Sequence, residues 1–86
     1  MSGISYYTPQ MRRAFHSITA PKNFSVEIAE HSDDQQLFFL EILFDKRLLL
    51  NSSHDDKMDI YRYLKELQDA LMHEGAVVQV TGKAVQ

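Results

Sequence analysis

The segment from Leu37 to Phe44 constrains the fold most, because Glu41 is its only polar residue. Side chains alternate between the two faces of a strand, so a strand beside water normally shows one polar face. One face of a strand over residues 36–44 would carry Phe38, Leu40, Ile42 and Phe44, and the other Leu37, Phe39, Glu41 and Leu43. Neither set is polar, so the pattern predicts a strand that needs cover on both faces.

A first strand is predicted over residues 24–30, where apolar and polar side chains alternate. The polar residues 32–34 favour a turn, so these two strands are expected to form an antiparallel hairpin. After the hairpin, residues 45–46 can turn the chain, and residues 47–50 can return as a third, short strand.

Two helices are predicted from their capping residues and from apolar side chains on one face. Thr8 and Pro9 begin a short helix over residues 9–18, since Thr caps free N–H groups and Pro suits the first helical position. Ser53 begins a long helix over residues 54–74, which Gly75 can end in a left-handed conformation. The apolar stripe of the long helix consists of Ile60, Leu64, Leu67 and Leu71.

With a final strand over residues 76–81, closed by Gly82, the elements give an α+β fold in the order α-β-β-(β)-α-β. We expect a small antiparallel sheet of three or four strands, a short N-terminal helix and one long amphipathic helix. Residues 1–86 form one domain, with a partly mobile N-terminus at residues 1–7. The last strand can join either edge of the sheet.

The composition is that of a globular protein, with 44% hydrophobic and 24% charged residues. No apolar run approaches the ~20 residues that a membrane span needs, and the chain has no cysteine, which suits a reducing compartment. We therefore expect a cytoplasmic protein.

No pattern in the sequence indicates catalysis. His31 and His54 lie near carboxylates, as metal ligands do, but both fall at predicted turns or helix starts, where Asp turns or caps the chain. The three glycines do not cluster into a phosphate-binding loop. We predict that the protein is not an enzyme and binds no metal or cofactor.

Surplus apolar surface points instead to protein partners. The long helix carries a second seam, away from its core stripe, made by Met58, Tyr61, Lys65 and Met72, with Asp55 and Asp59 nearby. Tyr and Met are enriched at interfaces. The residues after position 24 hold six bases and twelve acids, a net charge of −6. The sequence therefore predicts a regulator, adaptor or inhibitor that binds another protein through an acidic, partly apolar surface.

The second apolar face of the central strand predicts a homodimer. Leu37, Phe39 and Leu43 would be buried against a second copy, and two-fold symmetry is the commonest arrangement. The alternative is that the N-terminal helix covers this face within one chain.

A rival functional prediction is nucleic-acid binding. Residues 1–24 hold three bases and no acid. The candidate contacts are Arg12, Arg13, His16 and Lys22. Two arginines per chain neutralise few phosphates, so such binding would be weak and sensitive to salt.

Overall fold

The computed structural model describes residues 7–32 and 38–84. The elements in chain order are α1 (Pro9–Ser17), β1 (Val26–Ser32), β2 (Phe38–Asp45), α2 (Lys46–Leu50), α3 (His54–His73) and β3 (Val78–Lys83). The predicted α+β class, with a short N-terminal helix and one long helix, is confirmed.

Local chemistry sets the helix ends as predicted. The Thr8 side chain accepts a hydrogen bond from the backbone N–H of Met11 at 3.2 Å, and Ser53 caps α3 in the same way. At the other end of α3, Gly75 has a φ of 97°, the left-handed conformation that suits glycine. The N–H of Ala76 donates to the carbonyl of Leu71 at 3.1 Å, which closes the helix in a Schellman motif.

The predicted third strand is wrong, because residues 46–50 form the helix α2. Asp45 caps this helix: its side chain accepts a hydrogen bond from the N–H of Arg47 at 2.9 Å. Residues 47–50, one arginine and three leucines, are too few for the spacing of apolar side chains to distinguish a strand from a helix. The capping bond decides for the helix.

The sheet has the order β1-β2-β3, with β2 in the centre. β1 and β2 form the predicted antiparallel hairpin, with Ile28 opposite Ile42. β3 runs parallel to β2, with Val80 beside Ile42, so the sheet is mixed rather than wholly antiparallel. A parallel pair needs a long crossover, and here α2 and α3 supply it.

The register gives the sheet two different faces. The inner face joins Val26, Ile28, Glu30, Ser32, Phe38, Leu40, Ile42, Phe44, Val78, Val80 and Gly82. The outer face joins Glu27, Ala29, His31, Phe39, Glu41, Leu43, Asp45, Gln79, Thr81 and Lys83, and Val77 continues it just before β3.

Helices α1 and α3 both pack on the inner face of the sheet. Met11 from α1 shares one buried cluster with Leu40 and Ile42 of the sheet and with Leu67 and Leu71 of α3, of which the last four are fully buried. The Cα atoms extend over 46 × 29 × 15 Å, and a thickness of 15 Å fits two layers. The alternative in which the N-terminal helix covers the Phe39 face is therefore wrong.

Some predictions fall on residues outside the described ranges. Leu37, one of the three predicted dimer contacts, is among them, as are residues 1–6 of the N-terminus. Tyr7 is described and is buried, and its backbone N–H donates to Oε1 of Glu30 at 3.2 Å.

Candidate functional site

A hydrogen-bonded network occupies the centre of the outer face. Glu41 of β2 lies between β1 and β3, and each of its carboxylate oxygens has one side-chain partner. Nε2 of His31 is 2.8 Å from Oε1, and the hydroxyl of Thr81 donates to Oε2 at 2.7 Å. The central charge of the face is thus fixed by residues that are 10 and 40 positions away in sequence.

This network favours the ionised form of Glu41. The hydrogen bond from Thr81 lowers the pKa of the Glu41 carboxyl from its usual value of 4.5, although partial burial opposes the shift. The hydrogen bond and charge of His31 and the charge of Lys83 lower the pKa further. A carboxylate with both oxygens occupied can face a partner surface without an unpaired acceptor.

The network lacks the order that nucleophilic catalysis requires. In a hydroxyl–imidazole–carboxylate relay, the imidazole lies between the other two groups and accepts the hydroxyl proton. Here the carboxylate of Glu41 lies in the middle, and Thr81 donates to it rather than to His31. The arrangement orients side chains and does not activate the Thr81 hydroxyl.

The two ends of the outer face differ in shape. At one end, the ring of Phe39 stacks on the imidazole of His31 with centroids 4.7 Å apart, and Val77 beside them is 66% exposed. We call this the Phe39 ridge. At the other end is a hollow of about 250 Å³, which we call the Leu43 hollow. The hollow lies where the strands meet α2, and it is lined by Ser25, Val26, Glu27, Leu43, Phe44, Asp45, Leu48 and Lys83.

A second exposed surface lies on α3. Met58, Tyr61 and Met72 are 48%, 54% and 51% exposed. At 100° per residue, they and Lys65 form one stripe on the side of α3 turned away from the core. We call these four residues the α3 stripe. Lys65 pairs with Asp69 at 3.6 Å.

The two predicted acidic contacts lie off this stripe. At 100° per residue, Asp55 is about 60° and Asp59 about 100° around α3 from Met58, the nearest member of the stripe, and Asp59 lines the groove described below. Asp55 lies in the first turn of α3, where the helix dipole favours negative charge. Asp59 is one turn further along and pairs with Arg62 at 3.5 Å. Both are exposed, so their charges contribute to the field around the stripe.

A groove of about 610 Å³ separates the 19–24 loop from the start of α3. Phe24, Ile60 and Tyr63 form its apolar part, and burial raises the pKa of the Tyr63 hydroxyl. The charged lining residues are Lys22, Asp56, Asp59, Arg62 and Glu66. Three acids against two bases select no single class of charged ligand.

The predicted nucleic-acid contacts are divided between two places. The guanidinium of Arg12 lies 4.6 Å from the centroid of the Tyr7 ring, a cation–π contact that holds it against α1's own start. Arg13 and His16 are exposed on α1, whereas Lys22 lines the groove with three acids. The four side chains therefore do not form one separate basic patch.

Within residues 7–32 and 38–84, no group of three or more His, Asp or Glu side chains could hold a metal ion. No helix of the described chain is long and apolar enough to cross a bilayer. Comparison with protein-family models, with curated proteins and with solved structures gives no match.

The sequence does not predict the outer-face network. The pattern around His31 indicates a turn near carboxylates, and Thr81 belongs to no motif. The available signal was Glu41 itself, since a lone acid in a strand of apolar residues requires hydrogen-bonding partners on neighbouring strands.

Proposed function

We propose that this protein is a non-enzymatic interaction module, a small regulator, adaptor or inhibitor, that binds another protein through the α3 stripe. The observation that carries the proposal is the half exposure of Met58, Tyr61 and Met72 on one side of a single helix. Leu67 and Leu71 on the opposite side already anchor α3 in the core. The stripe therefore lies outside the core, where its exposed half can contact a partner.

The spacing suits a helix that lies in a groove of its partner. Met58, Tyr61, Lys65 and Met72 follow at i, i+3, i+7 and i+14, so at 1.5 Å per residue the stripe is about 21 Å long. Helix-in-groove recognition uses anchors at such spacings. Tyr61, the only aromatic residue of the stripe, is the expected main anchor because Tyr is enriched among residues that dominate binding energy.

The net charge of α3 indicates which charges the rim of the partner's groove should carry. α3 carries Asp55, Asp56, Asp59, Glu66 and Asp69 against Lys57, Arg62 and Lys65, a net charge of 3 − 5 = −2. A partner with an apolar groove and a basic rim would match this surface. Complementary charges at a rim speed association more than they raise affinity.

Photochemical cross-linking tests the proposal. A photoreactive phenylalanine analogue would replace Tyr61 in the full-length chain, and a second protein would carry it at Glu66, which is exposed on the same helix about 110° from the stripe. We expect a protein adduct from position 61 and none from position 66. Mass spectrometry would then identify the partner.

Reconstitution with that purified partner completes the test. Tyr61→Ala should weaken binding by about 30-fold, as truncation of a central aromatic anchor typically costs 2 kcal/mol or more. Glu66→Ala is the matched control and should change the dissociation constant by less than about two-fold. Equal binding by wild type and Tyr61→Ala would contradict the proposal.

A gel shift at low salt separates this function from the rival one. Nucleic-acid binding would require retention of DNA or RNA by the wild type and its loss in the double variant Arg12→Ala/Arg13→Ala. We expect no shift, since Arg12 is held on Tyr7 and Lys22 lies among acids.

A further inference from the structure

We infer that the outer sheet face packs against the same face of a second copy, with the Phe39 ridge of each chain seated in the Leu43 hollow of the other. This inference goes beyond the proposed function and uses a different surface, on the opposite side of the two-layer fold from the α3 stripe. The partner is a second copy because the same sheet face carries both the Phe39 ridge and the Leu43 hollow that receives it.

The shape of the face determines how two copies would meet. Phe39 and Leu43 lie on the same face of β2, four residues apart, so about 13 Å separates the ridge from the hollow. A two-fold axis across the strands, near Glu41, exchanges these two ends and places each ridge over a hollow. A two-fold axis parallel to the strands would instead place the Phe39 ridge of one copy on the Phe39 ridge of the other, and both Leu43 hollows would stay empty.

The same axis also pairs complementary chemistry. On β1, it brings Glu27 of one copy opposite His31 of the other, an acid against a hydrogen-bond donor. On β2, Phe39 meets Leu43, and Leu48 adds apolar surface at the hollow. In an isologous interface each such contact occurs twice.

Glu41 lies closest to the axis and faces the Glu41 of the second copy. Its two oxygens already accept hydrogen bonds from His31 and Thr81, so dimerisation buries no unpaired acceptor. Two carboxylates still repel one another across the axis. This repulsion limits the affinity, and its removal in Glu41→Gln should tighten the dimer.

The size of the face sets the expected strength. Three strands about 4.8 Å apart and four rows about 6.6 Å apart give roughly 380 Å² per copy, or about 760 Å² in total. Stable complexes usually bury about 1,200 Å² or more. The face is smaller than that, so we expect a weak dimer that is half formed at a concentration between about 5 and about 500 μM.

Sedimentation equilibrium of the full-length chain tests the dimer over this range, between about 5 and about 500 μM. The mass should rise from the 10.0 kDa of one chain towards twice that value. Val77→Asp and Phe39→Asp should each raise the dissociation constant at least ten-fold. Val77→Asp is the safer variant for folding, because Val77 is 66% exposed and outside the core.

Two further variants separate this interface from others. Tyr61→Asp, on the α3 stripe, should leave the dissociation constant unchanged, and Glu41→Gln should lower it at least two-fold. A wild type that stays monomeric over the whole range would overturn the inference. So would a dimer that Tyr61→Asp disrupts and Val77→Asp does not, since that result places the interface on α3.

Cross-linking tests the geometry directly. The chain contains no cysteine, so Gln79→Cys introduces the only thiol, on the exposed outer face near the proposed axis. A short bismaleimide should then link two chains, whereas Tyr61→Cys should give no product. Cross-linking from position 61 and not from position 79 would contradict face-to-face packing.

Discussion

Glu41 shows how one polar residue is accommodated in the most apolar strand of the chain. The position lies on the outer face, where His31 on one side and Thr81 on the other reach its two oxygens. An acid at Leu40 or Ile42 would instead enter a fully buried core, where an unpaired charge is strongly unfavourable. The alternation of β2 therefore confines the charge to the outer face.

Removal of the Thr81 hydroxyl should raise the pKa of Glu41. The hydrogen bond from Thr81 is the largest cause that lowers this pKa in the folded protein. Because the folded value lies below the usual 4.5, the group stabilises the fold at pH values above 4.5 and loses this contribution as the pH falls through the folded pKa.

NMR titration of the Glu41 side-chain carboxyl carbon measures the effect. Thr81→Val should move the titration midpoint upwards, towards 4.5, and should weaken the loss of stability on acidification. Thr81→Ser keeps a hydroxyl and serves as the control. An unchanged midpoint in Thr81→Val would show that the shift has another cause.

Gly75 is a position where backbone conformation alone sets the effect of a substitution. Its φ of 97° is unfavourable for a residue with a Cβ, and no atom lies within 4 Å of a Cβ built there. Gly75→Ala should therefore lower the free energy of unfolding by about 1–2 kcal/mol, without any clash. Gly75→Asn should lower it less, since Asn tolerates this conformation better.

Urea denaturation of the three proteins checks this ranking. Equal stability of wild type and Gly75→Ala would mean that the Schellman closure of α3 contributes little to the fold.

At the scale of elements, the sequence predicted what depends on neighbouring residues. Thr8, Ser53 and Gly75 act within one turn of the backbone, so the start of α1 and both ends of α3 could be predicted from the sequence. Residues 47–50 carry no comparable local signal of their own, and their helix is explained only by the capping hydrogen bond to Asp45. The parallel course of β3 depends on where α3 crosses the sheet, which local spacing does not encode.

The two candidate surfaces also differ in whether the sequence could predict them. The α3 stripe could be predicted because helical periodicity alone defines it. The outer-face network could not, since Thr81 and Glu41 are 40 residues apart and meet only through the β2–β3 register. The two apolar faces of β2 were evident in the sequence, but which face the helices would cover is a tertiary property.

The two sides of α3 should respond differently to truncation. Leu67 is fully buried, and Leu67→Ala should lower the free energy of unfolding by about 2–5 kcal/mol. Met72 is 51% exposed on the stripe, and Met72→Ala should change it by less than about 0.5 kcal/mol. Denaturation midpoints measure both, and a large loss in Met72→Ala would mean that the stripe supports the fold rather than a partner.

At the scale of the whole molecule, the two candidate surfaces lie on opposite sides. The helices bury the inner sheet face, which leaves the outer face on one side and the α3 stripe on the other. Two copies joined through their outer faces would therefore present two stripes pointing away from each other. Such a dimer could engage two partner molecules at once, or two sites on one partner with a gain in avidity.

Self-association through the outer face should also make thermal stability depend on protein concentration. Folded chains that dimerise are stabilised by mass action, whereas unfolded chains gain nothing. For a domain of this size, each 1 kcal/mol raises the midpoint by roughly 4–8 °C, so a ten-fold rise in concentration above the dissociation constant should give a shift of a few degrees.

Thermal unfolding followed by circular dichroism at several concentrations provides the measurement, with Val77→Asp as the control. The midpoint of the wild type should rise with concentration, and that of Val77→Asp should stay constant, because Val77 is exposed and its substitution leaves the core intact. An equal rise in both proteins would place the association elsewhere on the molecule. A constant midpoint in the wild type would contradict a dimer that forms from folded chains.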